Sequence, residues 1–107
     1  NGECREWKLY LFYAMQFSMF DFDPAKSAAN KAKHGIDFVE AQCLWDDARS
    51  KRIKAPKPGL TEERWLIIGM IGNRLWTSVV TYRGATTRII SVRRARDDEA
   101  RIYGQAD

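Results

Sequence analysis

Residues 64–94, RWLIIGMIGNRLWTSVVTYRGATTRIISVRR, read as three consecutive antiparallel strands joined by two tight turns, and the rest of the chain arranges itself around them. Arg64 to Ile71 is almost entirely apolar, and Gly72-Asn73 is a two-residue loop of the kind that closes a hairpin. The next strand runs from Leu75 to Arg83; Gly84-Ala85 turns the chain again, and Thr86 to Arg94 completes a meander. Its Thr, Ile, Val, Tyr and Trp suit a pleated, half-buried surface. Strict alternation in the last strand puts Ile90 and Val92 on one face with Arg88 and Arg94, and Ile89, Ser91 and Arg93 on the other. Strands buried on both faces do not carry so many arginines, so one face must present cations to water or to an anionic partner.

A chain of 107 residues fits one domain. It can bury roughly two-thirds of its unfolded surface, enough for a core without metals or cross-links. The formal charge is only +4, but its distribution is uneven. From Arg49 to Arg96 there are twelve Lys and Arg against Glu62 and Glu63 alone, which predicts a polyanionic partner. Cys4 and Cys43 are too few for a disulfide framework, and one His leaves no zinc constellation, so a reducing cytoplasm is the expected location. Leu9 to Met15 is too short an apolar run to span a bilayer, and no membrane association is expected.

Residues 1–14 read as an N-terminal extension or an expression remnant, with Met15 a sensible natural start and 15–107 a single domain. Gln16 to Asp23 reads as a first strand. Asp23-Pro24 opens a helix that Gly35 stops. Within it Ala25, Ala28, Ala29 and Ala32 form a small-residue stripe for close packing, while Lys26, Lys31 and Lys33 face outward. Asp37 and Glu40 make a capping box for a second helix whose buried side is Phe38, Ala41, Leu44 and Trp45. Residues 48–58 carry five cations around an edge strand at Ser50 to Lys54. Those lysines either discourage wrong strand pairing or bind RNA or a protein partner. Asp97, Asp98 and Glu99 begin a short C-terminal helix. The class is α+β: an antiparallel sheet with two N-terminal helices and a short C-terminal one.

No GK[ST] phosphate loop occurs, Asp21, Asp23, Asp46 and Asp47 suit strand ends and caps better than a metal, and Cys43 suits a core. What remains is phosphate chemistry done by cations. RNA suits it, because the ribose 2′-hydroxyl is an internal nucleophile and no metal or other cofactor is required. Arg64, Arg83, Arg88 and Arg93 can stabilise charge on the transition state, since guanidinium forks match phosphate oxygens. His34 is a proton-transfer candidate, and Tyr103 is another or a stacking platform for a base. Each has a structural rival: Arg64 can pair with Glu62 or Glu99, His34 can merely cap its helix, and Tyr103 can merely pack. The same basic sheet also suits a non-catalytic nucleic-acid-binding module or a protein-interaction module.

FDFDPAKSAANKAKHGIDFVEA at 20–41, EERW at 62–65, RIISVRRA at 88–95, and Glu99 with Tyr103 together resemble the BrnT toxins over residues 15–103. The resemblance implies a RelE-like fold and a ribonuclease toxin of a type II toxin-antitoxin system that cuts RNA without metal and arrests translation and growth. It also implies a BrnA-type ribbon-helix-helix antitoxin, two toxins with two antitoxins, and operator DNA bound through the antitoxin. By the same resemblance Arg64 and Arg93 stabilise the transition state and His34 or Tyr103 assists proton transfer. Lys33, Lys51, Lys54, Arg83, Arg88 and Ser91 are the remaining candidates for RNA contact.

Overall fold

The computed structural model describes residues 19–56 and 62–105. Among them the elements are β1 (Phe20–Asp21), α1 (Pro24–His34), α2 (Phe38–Ala41), a 3-10 turn (Gln42–Asp46), β2 (Lys51–Lys54), β3 (Trp65–Ile71), β4 (Arg74–Arg83), β5 (Thr86–Arg94) and α3 (Asp97–Tyr103). The expected boundary at residues 14 and 15 lies outside the described residues. The meander is present with both of its two-residue turns, each opening on a glycine at positive φ, Gly72 and Gly84.

The sheet order is β1-β5-β4-β3-β2. Neighbours from β2 to β5 are antiparallel, but β1 runs parallel to β5 through Phe20↔Thr87 and Asp21↔Arg88, so the sheet is mixed rather than antiparallel. Of the strand expected from Gln16 to Asp23 only Phe20–Asp21 pairs, and residues 16–18 lie outside the described residues. Where β1 ends, the Asn30 side chain takes over the free edge of β5. Its amide nitrogen donates to the Val92 and Ile36 carbonyls, both at 2.8 Å, and its oxygen accepts from the Val92 amide. This corrects the alanine stripe: Ser27 and Asn30 are the buried residues of α1, while Ala25, Ala28, Ala29 and Ala32 are exposed. Polar side chains face inward because the neighbours there are backbone groups, and Ser27 Oγ accepts from the Phe38 amide at 2.9 Å. Asn30→Ala strands three backbone groups and costs about 2–4 kcal/mol. Urea unfolding checks this; a loss under about 1 kcal/mol means water replaces the amide.

The second helix is shorter than expected. Asp37 and Glu40 form the capping box, yet α2 is one α-turn that tightens into the 3-10 turn. The Asp47 amide closes that turn on the Leu44 carbonyl at 3.2 Å. Gly69 of β3 sits directly beneath, where a Cβ would meet Leu44, Asp47 and Ser50 at 3.2–3.3 Å, so the turn packs against strand backbone.

Ladder partners share a face, which defines two sides of the sheet. On one, Ile67, Trp76, Val80, Ile89 and Val92 pack with Ile36, Phe38, Ala41 and Leu44 as the core. Simple alternation cannot put Ile89 and Val92 together. A β-bulge does so: Val80 pairs with Ile89 and Val79 with Ser91, leaving Ile90 as the extra residue. Cys43 is buried as expected, but its sulfur is disulfide-bonded rather than free, which removes the cysteine argument for a reducing compartment.

Candidate functional site

The bulge also decides where the arginines go. Alternation along the strands and the ladder register place Arg64, Arg83, Arg88, Ser91 and Arg93 on the face opposite the core. Arg64 and Arg88 flank Thr81 from the two neighbouring strands, roughly 10 Å apart between backbones. Half-buried Leu66, Val79 and Ser91 form the next row, and Ile68, Thr77 and Arg93 the row after it. Sequence alternation alone had separated Arg88 from Ser91 and Arg93; the structure unites them.

At the near end, Arg83 donates to both oxygens of Glu62, at 3.2 and 3.4 Å, and Arg88 pairs with Asp21. The hydrogen bond and charge of Arg83, with the charges of Arg64 and Arg88, hold the Glu62 carboxyl below its ordinary value. Glu62 therefore lies in the field of three arginines. Arg64 has a further peculiarity: its Nε is buried and has no hydrogen-bond partner among the described residues. A buried guanidinium donor left open is costly to a structure with no use for it.

At the far end, α3 brings Glu99 over the sheet. Arg93 grips it through both terminal nitrogens, at 2.7 and 2.8 Å, while Thr77 Oγ1 and the Arg96 amide donate to the same carboxylate at 3.0 and 2.8 Å. Glu99 is 4% exposed. The Arg93 fork, helped by the Arg96 amide and the Thr77 hydroxyl and opposed by burial, lowers its carboxyl from 4.5 to about 2. The sign follows from linkage: the carboxyl is depressed on folding, so its stabilisation is complete above pH 4.5 and is lost as pH falls toward 2. Stability measured across that window should fall steeply in the native chain and much less in Glu99→Gln.

Tyr103 stands beyond Glu99. Its hydroxyl donates to Asp47 Oδ2 at 2.8 Å, and that oxygen also accepts from the Met70 amide at 2.8 Å. Burial raises the Tyr103 hydroxyl above its ordinary value, and the Asp47 hydrogen bond and charge raise it further, so at neutral pH it is a donor, not a base. Burial alone pushes the Asp47 carboxyl up. The Met70 and Arg49 amides, the Tyr103 hydroxyl and the Arg49 charge outweigh it and bring the carboxyl below the ordinary value.

Met70 lies six positions along the strand from Arg64, about 20 Å of extended chain, so Tyr103 and Arg64 are not brought together. His34 ends α1 in the layer covering the opposite face, with exposed Lys33 beside it. Lys54 of the edge strand β2 pairs with Trp65 of β3, also on the core side, and its amine bridges to Glu63 at 3.0 Å. Lys51, opposite Ile68, is on the arginine face. Of the sequence candidates, then, the structure gathers Arg64, Arg83, Arg88, Ser91, Arg93 and Lys51 on one face, puts Lys54 next to Arg64 along the β2–β3 ladder but on the opposite face, and leaves His34, Lys33 and Tyr103 away from Arg64. Glu62, Asp21 and Thr77 belong to the surroundings of that face, and single residues gave no signal of it. Among the described residues no group of three or more His, Cys, Asp or Glu could hold a metal ion, and no helix is long and apolar enough to cross a membrane.

A family model described as "Ribonuclease toxin, BrnT, of type II toxin-antitoxin system" matches residues 22–99. The chain belongs to the BrnT family. The BrnT match runs from the end of β1 to Glu99 and takes in every residue of the arginine face; Tyr103 lies beyond it. No curated protein matches the chain. As a BrnT-family toxin it has an antitoxin as its partner.

Proposed function

We propose that this chain is an endoribonuclease toxin that cuts RNA without a metal ion, with the sheet face bearing Arg64 as its RNA-binding surface. The family match over residues 22–99 carries the reading. In the proposed step the ribose 2′-hydroxyl attacks the adjacent phosphorus and loses its proton to water. The bond to the 5′-oxygen breaks, that oxygen takes up a proton, and the products are a cyclic phosphate and a 5′-hydroxyl end. Charge builds on the non-bridging oxygens, where a guanidinium is useful. Arg64 shares the sheet face of Arg83 and Arg88. Arg93, held rigid by Glu99, and Ser91 line the path of the chain beyond the cut. Neither His34 nor Tyr103 is assigned proton transfer at Arg64, because neither lies beside it.

The wider reading is a RelE-like toxin in the cytoplasm that arrests translation, is neutralised by a BrnA-type antitoxin in a complex of two toxins with two antitoxins, and touches operator DNA only through that antitoxin. Controlled expression in bacteria tests it. Growth and protein synthesis should stop, and co-expression of the antitoxin should restore both; undisturbed growth with folded protein accumulating would contradict the proposal.

A further inference from the structure

Glu62 occupies an unusual position for a surface carboxylate. It lies in the field of three arginines that share one sheet face, yet among the described residues it makes hydrogen bonds to Arg83 only. Arg88 is oriented by Asp21, and Arg64 keeps a buried Nε with no partner among the described residues. The Glu62 and Arg83 side chains are each about half exposed, at 46% and 53%, so their ion pair is weak and easily broken. One carboxylate has two oxygens and reaches one of the three forks. A phosphate presents tetrahedrally arranged oxygens to several forks at once and is the better match for a set of arginines neighbouring one another on one face.

We propose that Arg64, Arg83 and Arg88 form a single phosphate subsite that Glu62 fills in the resting protein, and that a nucleic-acid strand binds by displacing the Glu62 carboxylate. Glu62 thereby weakens binding to polyanions in general. A strand that engages the rest of the face, toward Ser91 and Arg93, gains enough contact to push it aside. The ligand class is a phosphodiester of a single strand, whose splayed backbone can follow the row of arginines across the sheet. The proposal rests on the RNA-binding reading of this face but does not require that the bound strand be cut.

The test is therefore a binding measurement on a strand that cannot be cut: anisotropy of a labelled, all-deoxy single-stranded oligonucleotide, titrated at several salt concentrations. Glu62→Gln should bind about five- to tenfold more tightly than the native chain, with a salt slope steeper by about 0.7, the value for one further phosphate contact on a single strand. Glu63→Gln makes the same change of charge one residue away, on a carboxylate that bridges to Lys54 instead, and should change affinity less than twofold. Arg83→Ala in the Glu62→Gln background should abolish the gain. Equal tightening by Glu62→Gln and Glu63→Gln would reduce the effect to net charge and overturn the proposal, as would an unchanged Glu62→Gln. If the predicted pattern appears while RNA is never cleaved, the subsite stands and the ribonuclease reading falls.

Discussion

Arg64→Ala lowers the rate of RNA cleavage about a hundredfold or more, the usual loss when one donor to a developing oxyanion is removed. The melting temperature should hardly move. Arg64 Nε has no partner among the described residues, so the substitution breaks no hydrogen bond to them there and relieves a buried donor that none of them satisfies. This separates a functional residue from a structural one, because a structural arginine of the same burial would cost stability when removed. Arg64→Lys should recover only part of the rate, since an ammonium is a point charge without a planar fork. Near-normal cutting by a folded Arg64→Ala protein would remove Arg64 from the chemistry.

Glu99→Gln has the opposite signature: a large loss of stability. The substitution keeps the shape but removes the charge that Arg93, Thr77 and the Arg96 amide all serve. Breaking one partner of a buried ion pair costs about 3–5 kcal/mol, because the other charge stays behind uncompensated. For a domain of this size that corresponds to a fall in melting temperature of roughly 12–30 °C. The pair ties α3 to the sheet, so amide exchange in Asp97–Tyr103 should rise before that of β4. A melting temperature within a few degrees of the native value would show that Arg93 is satisfied some other way, leaving it available to a substrate.

Much of this was legible in the sequence. Asp23-Pro24, Gly35, the capping box of Asp37 and Glu40, and both hairpin glycines are local signals set by backbone geometry, and each lies where its chemistry puts it. The bulge at Ile90 was not legible, because it is decided by how β5 meets β4 and not by any residue within β5. A single inserted residue exchanged the faces of everything on one side of it, and so assembled an arginine face that strict alternation had divided. Asn30 escaped notice for a similar reason: a polar residue among alanines looks solvent-facing until the exposed edge of β5 is known to need a partner. The parallel pairing of β1 is also a tertiary choice, made by the edge left free on β5. At the site, residue types named the cations well, but their carboxylate partners Glu62, Asp21 and Glu99 follow from the register.

The most direct measurement is incubation of the purified chain, free of antitoxin, with bulk RNA in excess EDTA, with the fragment ends mapped and Arg64→Ala as the control for contaminating nuclease. Cleavage should survive chelation, be lost in Arg64→Ala and leave 5′-hydroxyl ends. RNA that stays intact with and without added ribosomes, or cleavage that chelation abolishes, would contradict the proposed function.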